Sequence, residues 1–357
     1  MWYQWIISLP MMLCFVWSAF FAVRCFQEYN EPPFNFSILL FFIAATVLYT
    51  DHWLYFQEFY SWIGLYSYLV ANLSVYPLYY VYLCALTRTK RPVEVGLMLL
   101  PAALMALFFP LNAHFEWLSV DTVFLFTRIC FAIGVVWVWW RGHLLLKQTS
   151  ERLDDTYSDD RSRLLHPTFI VQHLLAVTAA FSTLLNLLGR DFFADSMMVC
   201  LPAAVMSVLI FSIGYVAAHT TLPKESVEAD AESNRGTVSN EEINQLVPKI
   251  DNLMRTNQLY TNSNLTILDL AAAVGSNRTY VSAAINRTYG VSFSLYVAKQ
   301  RVEYAKMILA DHRYTSDKAA IADAYALSGF ASKQSFYRVF KEITSLTPLA
   351  FRKSQLG

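Results

Sequence analysis

The chain has 357 residues, of which 56% are hydrophobic, and its 27 Lys and Arg balance its 27 Asp and Glu, so the formal net charge is zero. Its mean hydropathy is +0.36, and soluble globular domains are nearer half apolar, even with glycine counted. The composition therefore excludes a wholly soluble protein and predicts membrane-spanning segments.

Seven apolar stretches in the first part of the chain are long enough to be transmembrane helices, which need about 20 residues to cross the hydrocarbon core. The fourth is bounded by Pro92 and Pro110, and a polar loop over 150–167 follows the fifth. The first has no basic N-terminal region or small-residue cleavage site, which favours a membrane helix over a signal peptide. We therefore predict an all-α, seven-span membrane bundle over 1–220. The seven stretches lie near 5–25, 36–56, 62–86, 93–110, 123–146, 168–188 and 196–218.

The loop charges predict an orientation for this bundle. With the N-terminus outside, the inner loops contain nine Lys and Arg and the outer loops contain only Arg190. This bias follows the positive-inside rule. An odd number of spans then places the C-terminus in the cytoplasm. The nine inner residues are Arg24, Arg88, Lys90, Arg91, Arg141, Lys147, Arg152, Arg161 and Arg163.

An acidic linker and a connecting helix are predicted over 221–257. Residues 219–240 lack apolar periodicity and are rich in Asp and Glu, which is typical of a flexible tether. Apolar residues then recur at helical spacing over 241–257. Pro248 lies inside this helix and marks either a kink or a restart.

A helix-turn-helix pattern follows, in the predicted domain 258–357. Thr266 is expected to cap a helix that ends at Gly275, a residue suited to a left-handed turn. Asn277 is expected to cap a second helix, with Val281, Ala284 and Ile285 turned inward. Helix, tight turn and second helix with a polar face form the arrangement that places a recognition helix in DNA. The outward residues are predicted to be Arg278, Thr279, Ser282, Ala283, Asn286 and Arg287.

The pattern occurs a second time. An amphipathic helix over 294–309 connects the two units, and Asp317 is expected to cap the first helix of the second unit. Gly329 makes the turn, and Ser332 caps the last helix of the pair, whose Phe336, Val339 and Phe340 turn inward. The outward residues are predicted to be Lys333, Gln334, Tyr337, Arg338 and Lys341.

The C-terminal region is basic. Residues 262–357 contain 12 Lys and Arg against 6 Asp and Glu, a net charge of +6. Local positive charge favours a polyanionic partner. Together with the helix-turn-helix pattern, it predicts double-stranded DNA as that partner.

This region resembles the DNA-binding domain of AraC-family transcription regulators. The resemblance covers about 100 residues and rests on LTILDLAAAVGSNRTYVSAAINRTYGVSFSLYVAKQRVEYAKMIL and GFASKQSFYRVFKEITSLTPLAFR. It implies two helix-turn-helix units joined by a linker helix, placed to enter successive major grooves. Ser345 stands where the family usually has Gly, and Tyr325 stands where a small Ala is usual. The whole chain looks like a membrane-anchored version found among Gram-negative bacteria, which implies the inner membrane.

The outward residues divide by chemistry. Arg278, Asn286, Lys333 and Gln334 can read base edges, because Arg pairs with guanine and Asn or Gln with adenine. Arg287, Arg338, Lys341 and Lys353 are expected either to contact phosphates or to be cations supported by packing.

Three functions fit the sequence. The favoured one is a transcription regulator whose bundle senses an unknown small-molecule or membrane signal and whose partners are DNA and the lipid bilayer. The second makes the bundle a mere anchor for a constitutive DNA binder. The third, an intramembrane enzyme or transporter, lacks HExxH, GxSxG and paired intramembrane aspartates. We expect no enzyme activity, cofactor or metal; the oligomeric state stays open, with a homodimer as one alternative.

Overall fold

The computed structural model describes residues 2–28, 36–57, 59, 61–188, 200–223 and 240–356. Within these residues all regular structure is helical, apart from an isolated bridge between Tyr157 and Thr266. The predicted all-α fold is confirmed. The chain divides into two compact units, a bundle unit of Met1–Lys147 with Leu164–Leu222 and a C-terminal unit of Gln148–Arg163 with Pro223–Gly357.

Seven described helices are long and apolar enough to cross a membrane, as predicted. The start of the seventh predicted span, 196–199, lies outside the described residues. In chain order the helices are α1 (Trp2–Glu28), α2 (Phe36–Phe56), α3 (Trp62–Leu86), α4 (Pro92–Phe115), α5 (Val120–Thr156), α6 (His166–Leu188) and α7 (Cys200–His219).

The bundle unit is built from neighbouring helix pairs. Helix α1 packs against α2 and α7, α2 against α3, α3 against α4, and α6 against α7. The approach of α7 to α1 is close at Gly214, where any Cβ atom would collide with the ring of Phe21. Small residues allow such approach between apolar helices, which have no hydrophobic effect to drive them together in lipid.

Pro110 does not end the fourth helix, contrary to the sequence prediction. Helix α4 continues to Phe115, with Pro110 inside it. A proline has no N–H, so the carbonyl of Ala106, four residues earlier, loses its helical donor. The Tyr66 hydroxyl of α3 donates a hydrogen bond to that carbonyl at 3.1 Å. A neighbouring helix thus satisfies the freed group, which is how prolines are tolerated in membrane helices.

The predicted loop over 150–167 is also wrong, because most of it is helical. Helix α5 runs on to Thr156, a 3₁₀ turn covers Arg161–Leu165, and α6 begins at His166. The residues after Lys147 include Gln, Glu, Arg and Leu, which are good helix formers. Leu153 is fully buried and gives this polar stretch an apolar anchor.

Seven further α-helices are described in the second part of the C-terminal unit, over 240–356. The proposed tether falls largely on 224–239, which lie outside the described residues. Pro248 lies inside the connecting helix without interrupting it. The apolar stripe predicted for this helix is confirmed, with Ile243, Leu246, Ile250 and Met254 buried. These helices are α8 (Asn240–Thr256), α9 (Ile267–Val274), α10 (Arg278–Tyr289), α11 (Phe293–Leu309), α12 (Asp317–Leu327), α13 (Lys333–Thr344) and α14 (Pro348–Leu356).

Two apolar cores lie side by side along α11. The first joins α8, α9 and α10 to the first half of α11, through Phe293 and Val297. The second joins α12, α13 and α14 to its other half, through Val302 and Leu309. The central helix therefore belongs to both cores, and each core supports one helix-turn-helix.

Candidate nucleic-acid interface

The first helix-turn-helix begins with a helix whose own side chains close its N-terminus. Thr266 accepts a hydrogen bond from the Asp269 amide at 3.2 Å, and the Asp269 carboxylate accepts one from the Thr266 amide at 2.8 Å. This capping box satisfies two donors that the first turn leaves free. At the other end Gly275 has a φ of +68°, in the left-handed region that favours glycine. The predicted cap and turn are confirmed.

Helix α10 is the recognition helix of this unit. Its N-cap, Asn277, accepts a hydrogen bond from the Tyr280 amide at 3.0 Å, as predicted. One side of the helix is fully buried in the first core through Val281, Ala284 and Ile285. This packing fixes the rotation of α10 and so decides which side chains face away.

The predicted DNA-binding residues of α10 lie on its other side but differ in exposure. Asn286 and Arg287 are exposed, whereas Arg278, Thr279 and Ser282 are half-buried. The N-terminal part of the recognition helix is therefore partly covered within the C-terminal unit.

The second helix-turn-helix repeats this construction in α12 and α13. The predicted turn at Gly329 has a φ of +81°. Ser332 caps α13 by accepting a hydrogen bond from the Ser335 amide at 3.1 Å, as predicted. Phe336, Val339 and Phe340 are buried in the second core, which turns the polar side of α13 outward.

Three of the predicted residues on α13 are exposed, namely Lys333, Gln334 and Lys341. Tyr337 and Arg338 are half-buried. Both recognition helices thus combine exposed polar or basic side chains with a covered arginine.

Asp317 is not the cap of α12, contrary to the sequence prediction. Ser316 occupies that position, without a side-chain hydrogen bond to the helix. The Asp317 carboxylate instead accepts a hydrogen bond from the Arg352 guanidinium at 2.8 Å. Arg352 is 1% exposed and also donates to the carbonyls of Leu309 and Tyr314 at 2.9 and 2.7 Å. An aspartate that holds a buried cation is not available as a cap.

Arg301 serves the first unit in a similar way, although the sequence alone indicates only its charge. It is 1% exposed, and its guanidinium donates to the carbonyls of Tyr260 and Asn262 at 2.7 and 2.8 Å. Burial lowers the pKa of Arg301 to about 10, so the side chain stays charged at neutral pH. Arg301 is four residues from both Val297 and Ala305, which places it on the apolar face of the helix. This spacing is the sequence signal for its burial.

The two departures from the family pattern are accommodated. Ser345, which replaces the usual Gly, adopts a φ of +62°, the conformation in which glycine has no steric cost. Tyr325 is half-buried and packs at the edge of the second core, with its ring centroid 6.1 Å from that of Phe336. The larger side chain therefore lies beside the core rather than within it.

The half-buried arginines are contacted by residues 148–163, which form the first part of the C-terminal unit and which we call the α5–α6 segment. Arg278 donates a hydrogen bond to the Thr156 hydroxyl at 3.0 Å. Arg338 lies 2.5 Å from the Asp160 carboxylate. Neither contact was predicted from the sequence. The available signal was two Asp-Asp pairs in the α5–α6 segment and an excess of cations over 262–357.

Comparisons with known proteins agree with this geometry. A family model described as a helix-turn-helix domain matches residues 270–354. An uncharacterized HTH-type transcriptional regulator of Staphylococcus aureus is 30% identical over 120 residues, which are 34% of this chain and 14% of the relative. The uncharacterized HTH-type transcriptional regulator YtdP of Bacillus subtilis is 29% identical over 105 residues, 29% of this chain and 13% of the relative. No solved structure matches the chain.

These matches identify the C-terminal region as a helix-turn-helix domain of the AraC type, a DNA-binding class. The chain spans about one seventh of the length of the curated relatives it matches. The family model covers residues 270–354, and each of the two relatives matches about a third of this chain.

Proposed function

We propose that the chain is a membrane-anchored one-component transcription regulator that binds specific duplex DNA through both helix-turn-helix units. The observation that carries this proposal is the presence, in one chain, of two capped helix-turn-helix units and seven helices of membrane-spanning length. The printed names of the relatives, HTH-type transcriptional regulators, support regulation as the role of the DNA contact.

The proposed DNA contacts follow the chemistry of the outward faces. Arg278, Asn286, Lys333 and Gln334 read base edges, for which their donors and acceptors are suited. Arg287, Arg338 and Lys341 bind phosphates, since a cation at a helix surface can pair with a phosphate oxygen whatever the base sequence. The polar side chains of Thr279, Ser282 and Tyr337 lie on the same faces and complete the set of contacts.

The bundle is proposed to lie in the inner membrane with the N-terminus outside, the C-terminus in the cytoplasm and the lipid bilayer as its surroundings. The excess of basic residues in the inner loops supports this orientation. We assign signal sensing to the bundle because it offers polar groups at membrane depth. Asn72, Thr127 and Arg128 line one small cavity there. Polar groups cost free energy in lipid, so those found at membrane depth mark functional sites.

Genome-wide mapping of DNA bound to the full chain tests the regulator proposal. The chain should occupy a limited set of sites, and Arg278→Ala with Gln334→Ala should abolish or redistribute them. Lys299→Ala is the matched control, since this exposed cation lies on α11, outside both recognition helices. Loss of sites in the control alone, or no specific sites for the native chain, would contradict the proposal.

Reporter fusions test the membrane proposal. A periplasm-only reporter fused after Gly357 should be inactive, and the same reporter inserted near Glu116 should be active. Arg128→Ala separates a sensor from an anchor: it should change transcription of the bound genes with the number of bound sites unchanged. If transcription is unaffected by this and other polar substitutions in the bundle, the bundle is an anchor. Crosslinking in membranes tests whether the chain forms a homodimer.

A further inference from the structure

The α5–α6 segment is acidic and comprises the last residues of α5 and most of the connection to α6, two helices of membrane-spanning length. Its sixteen residues, QTSERLDDTYSDDRSR, contain five Asp and Glu against three Arg. Leu153 and Tyr157 are 0% and 1% exposed, so the segment is anchored by apolar packing. The Tyr157–Thr266 bridge and a hydrogen bond from the Ser158 amide to the Leu265 carbonyl at 3.1 Å join it to the start of α9.

At the first helix-turn-helix, the segment occupies the groups with the chemistry for base reading. Thr156 accepts the hydrogen bond from Arg278 at 3.0 Å. Burial raises the pKa of the Asp155 carboxyl, and the charge of the same Arg278 guanidinium opposes this shift. Ser158 accepts from the buried Arg301 through its carbonyl at 2.9 Å, which fixes the segment in this position.

At the second helix-turn-helix, the segment places a carboxylate on a predicted phosphate ligand. The Asp160 carboxylate lies 2.5 Å from the Arg338 guanidinium. Arg163 donates to Glu342 on the next turn of α13 at 3.0 Å. One short segment therefore contacts both recognition helices, and it does so with charge-assisted pairs, which are the strong hydrogen bonds.

We propose that the α5–α6 segment is an internal competitor for DNA, whose carboxylates take the places of DNA phosphates and bases on both recognition helices. The inference rests on the proposed DNA-binding function. A duplex cannot contact Arg278 and Arg338 while Thr156 and Asp160 hold them. The arrangement seen here is thus the state that does not bind DNA, and release of the segment precedes binding.

The first part of the segment, 148–156, is the end of α5, and its last residues lead into α6. A signal that changes the conformation of α5 or α6 can therefore be transmitted through the backbone to the residues that cover the recognition helices. The coupling is reciprocal: whatever favours release favours DNA binding, and bound DNA favours release by the same factor.

The first test measures DNA affinity of the full chain in nanodiscs of zwitterionic lipid. The probe is a fluorescein-labelled 40-base-pair duplex of random sequence, read by anisotropy at low salt. Asp155→Asn with Asp160→Asn should tighten binding by about tenfold or more, within the usual range of coupling factors. Asp160→Asn alone should also tighten binding, and Asp159→Asn is its charge-matched control, since the Asp159 carboxylate pairs with Arg161 of the same segment at 2.9 Å; Asp159→Asn should change the affinity by less than about twofold.

The outcomes separate the two proposals. Binding that is equal in the native chain and the double variant, or weaker in the variant, overturns the competitor and leaves DNA binding in place. An equal gain of DNA affinity in Asp159→Asn would show that the effect is general charge repulsion, and this result also overturns the competitor. Absence of binding in every protein overturns the DNA-binding function, and the competitor falls with it.

A second variant guards against loss of folding. Tyr157→Cys with Thr266→Cys should form a disulfide across the bridge, because opposed bridge residues lie within the Cα separation a disulfide needs. The oxidised protein should bind the duplex at least tenfold more weakly than the same protein after reduction. Each single cysteine variant should respond to reductant by less than twofold. Equal binding before and after reduction, with the disulfide verified by mass, would overturn the inference.

Discussion

Gly329 lies directly against the backbone of Tyr260, so the turn of the second helix-turn-helix packs on the residues that lead into the first. A Cβ atom at Gly329 would collide with the Tyr260 carbonyl oxygen and with Thr261. The same Tyr260 carbonyl accepts the hydrogen bond of the buried Arg301. The two units are therefore joined by main-chain contact as well as by the shared helix α11.

Gly329→Ala should destabilise the C-terminal unit by more than about 3 kcal/mol, because it adds a backbone clash to the cost of a left-handed conformation, roughly 1–2 kcal/mol. Gly290→Ala is the matched control: its φ is +66° but nothing lies within 4 Å of its added Cβ. It should lose about 1–2 kcal/mol only. Amide hydrogen exchange of α12 and α13 in the full chain measures both. Similar losses in the two variants would contradict the close approach.

Arg352→Met should destabilise the second helix-turn-helix by about 2–4 kcal/mol, since it leaves buried carbonyls without a donor. Asp317→Asn removes the ion pair but keeps the guanidinium on the Leu309 and Tyr314 carbonyls. Because the Asp317 side chain is 43% exposed, its substitution should cost about 1 kcal/mol or less. Proteolysis rates of the C-terminal unit rank the two variants, and a larger effect of Asp317→Asn would show that the ion pair dominates.

DNA binding should weaken with salt less steeply than the +6 charge suggests. Arg301 and Arg352 are buried, and the cations on the two recognition helices are Arg278, Arg287, Lys333, Arg338 and Lys341. If the three proposed phosphate ligands, Arg287, Arg338 and Lys341, engage about three phosphates, the affinity should fall roughly 40-fold for a fourfold rise in salt. Anisotropy titrations of the full chain give the slope, and a flat response would indicate a protein partner instead.

Arg278→Ala and Gln334→Ala should relax specificity at different positions of one site, separated by about 34 Å, each costing roughly 1–3 kcal/mol. Both residues lie in the first turns of their helices. Lys341→Ala, toward the end of α13, should weaken binding to all sequences alike, because a phosphate contact carries no base information. Footprinting on a selected site decides the matter: changes at the same base pairs for both variants would reject recognition of two grooves.

Local signals made much of this fold predictable. Thr266, Asn277 and Ser332 were recognised as caps because a helix N-terminus needs a short polar acceptor there. The role of Pro110 depends on Tyr66 of another helix, and the buried charge of Arg352 depends on carbonyls far away in sequence. No local pattern contains such partners. The contact of Asp160 with Arg338 is of the same kind, since either residue alone resembles an ordinary solvated charge.

A competitor held by the chain at both ends has a consequence for the number of molecules in a cell. Its local concentration at the recognition helices is set by chain geometry and not by expression level. The fraction of molecules whose recognition helices are covered is therefore the same at any copy number, so overproduction does not change the factor by which the segment weakens DNA binding. A repressor supplied by a separate gene would be titrated away under the same conditions. The position of the α5–α6 segment in the same chain thus gives a covered fraction that is independent of gene dosage.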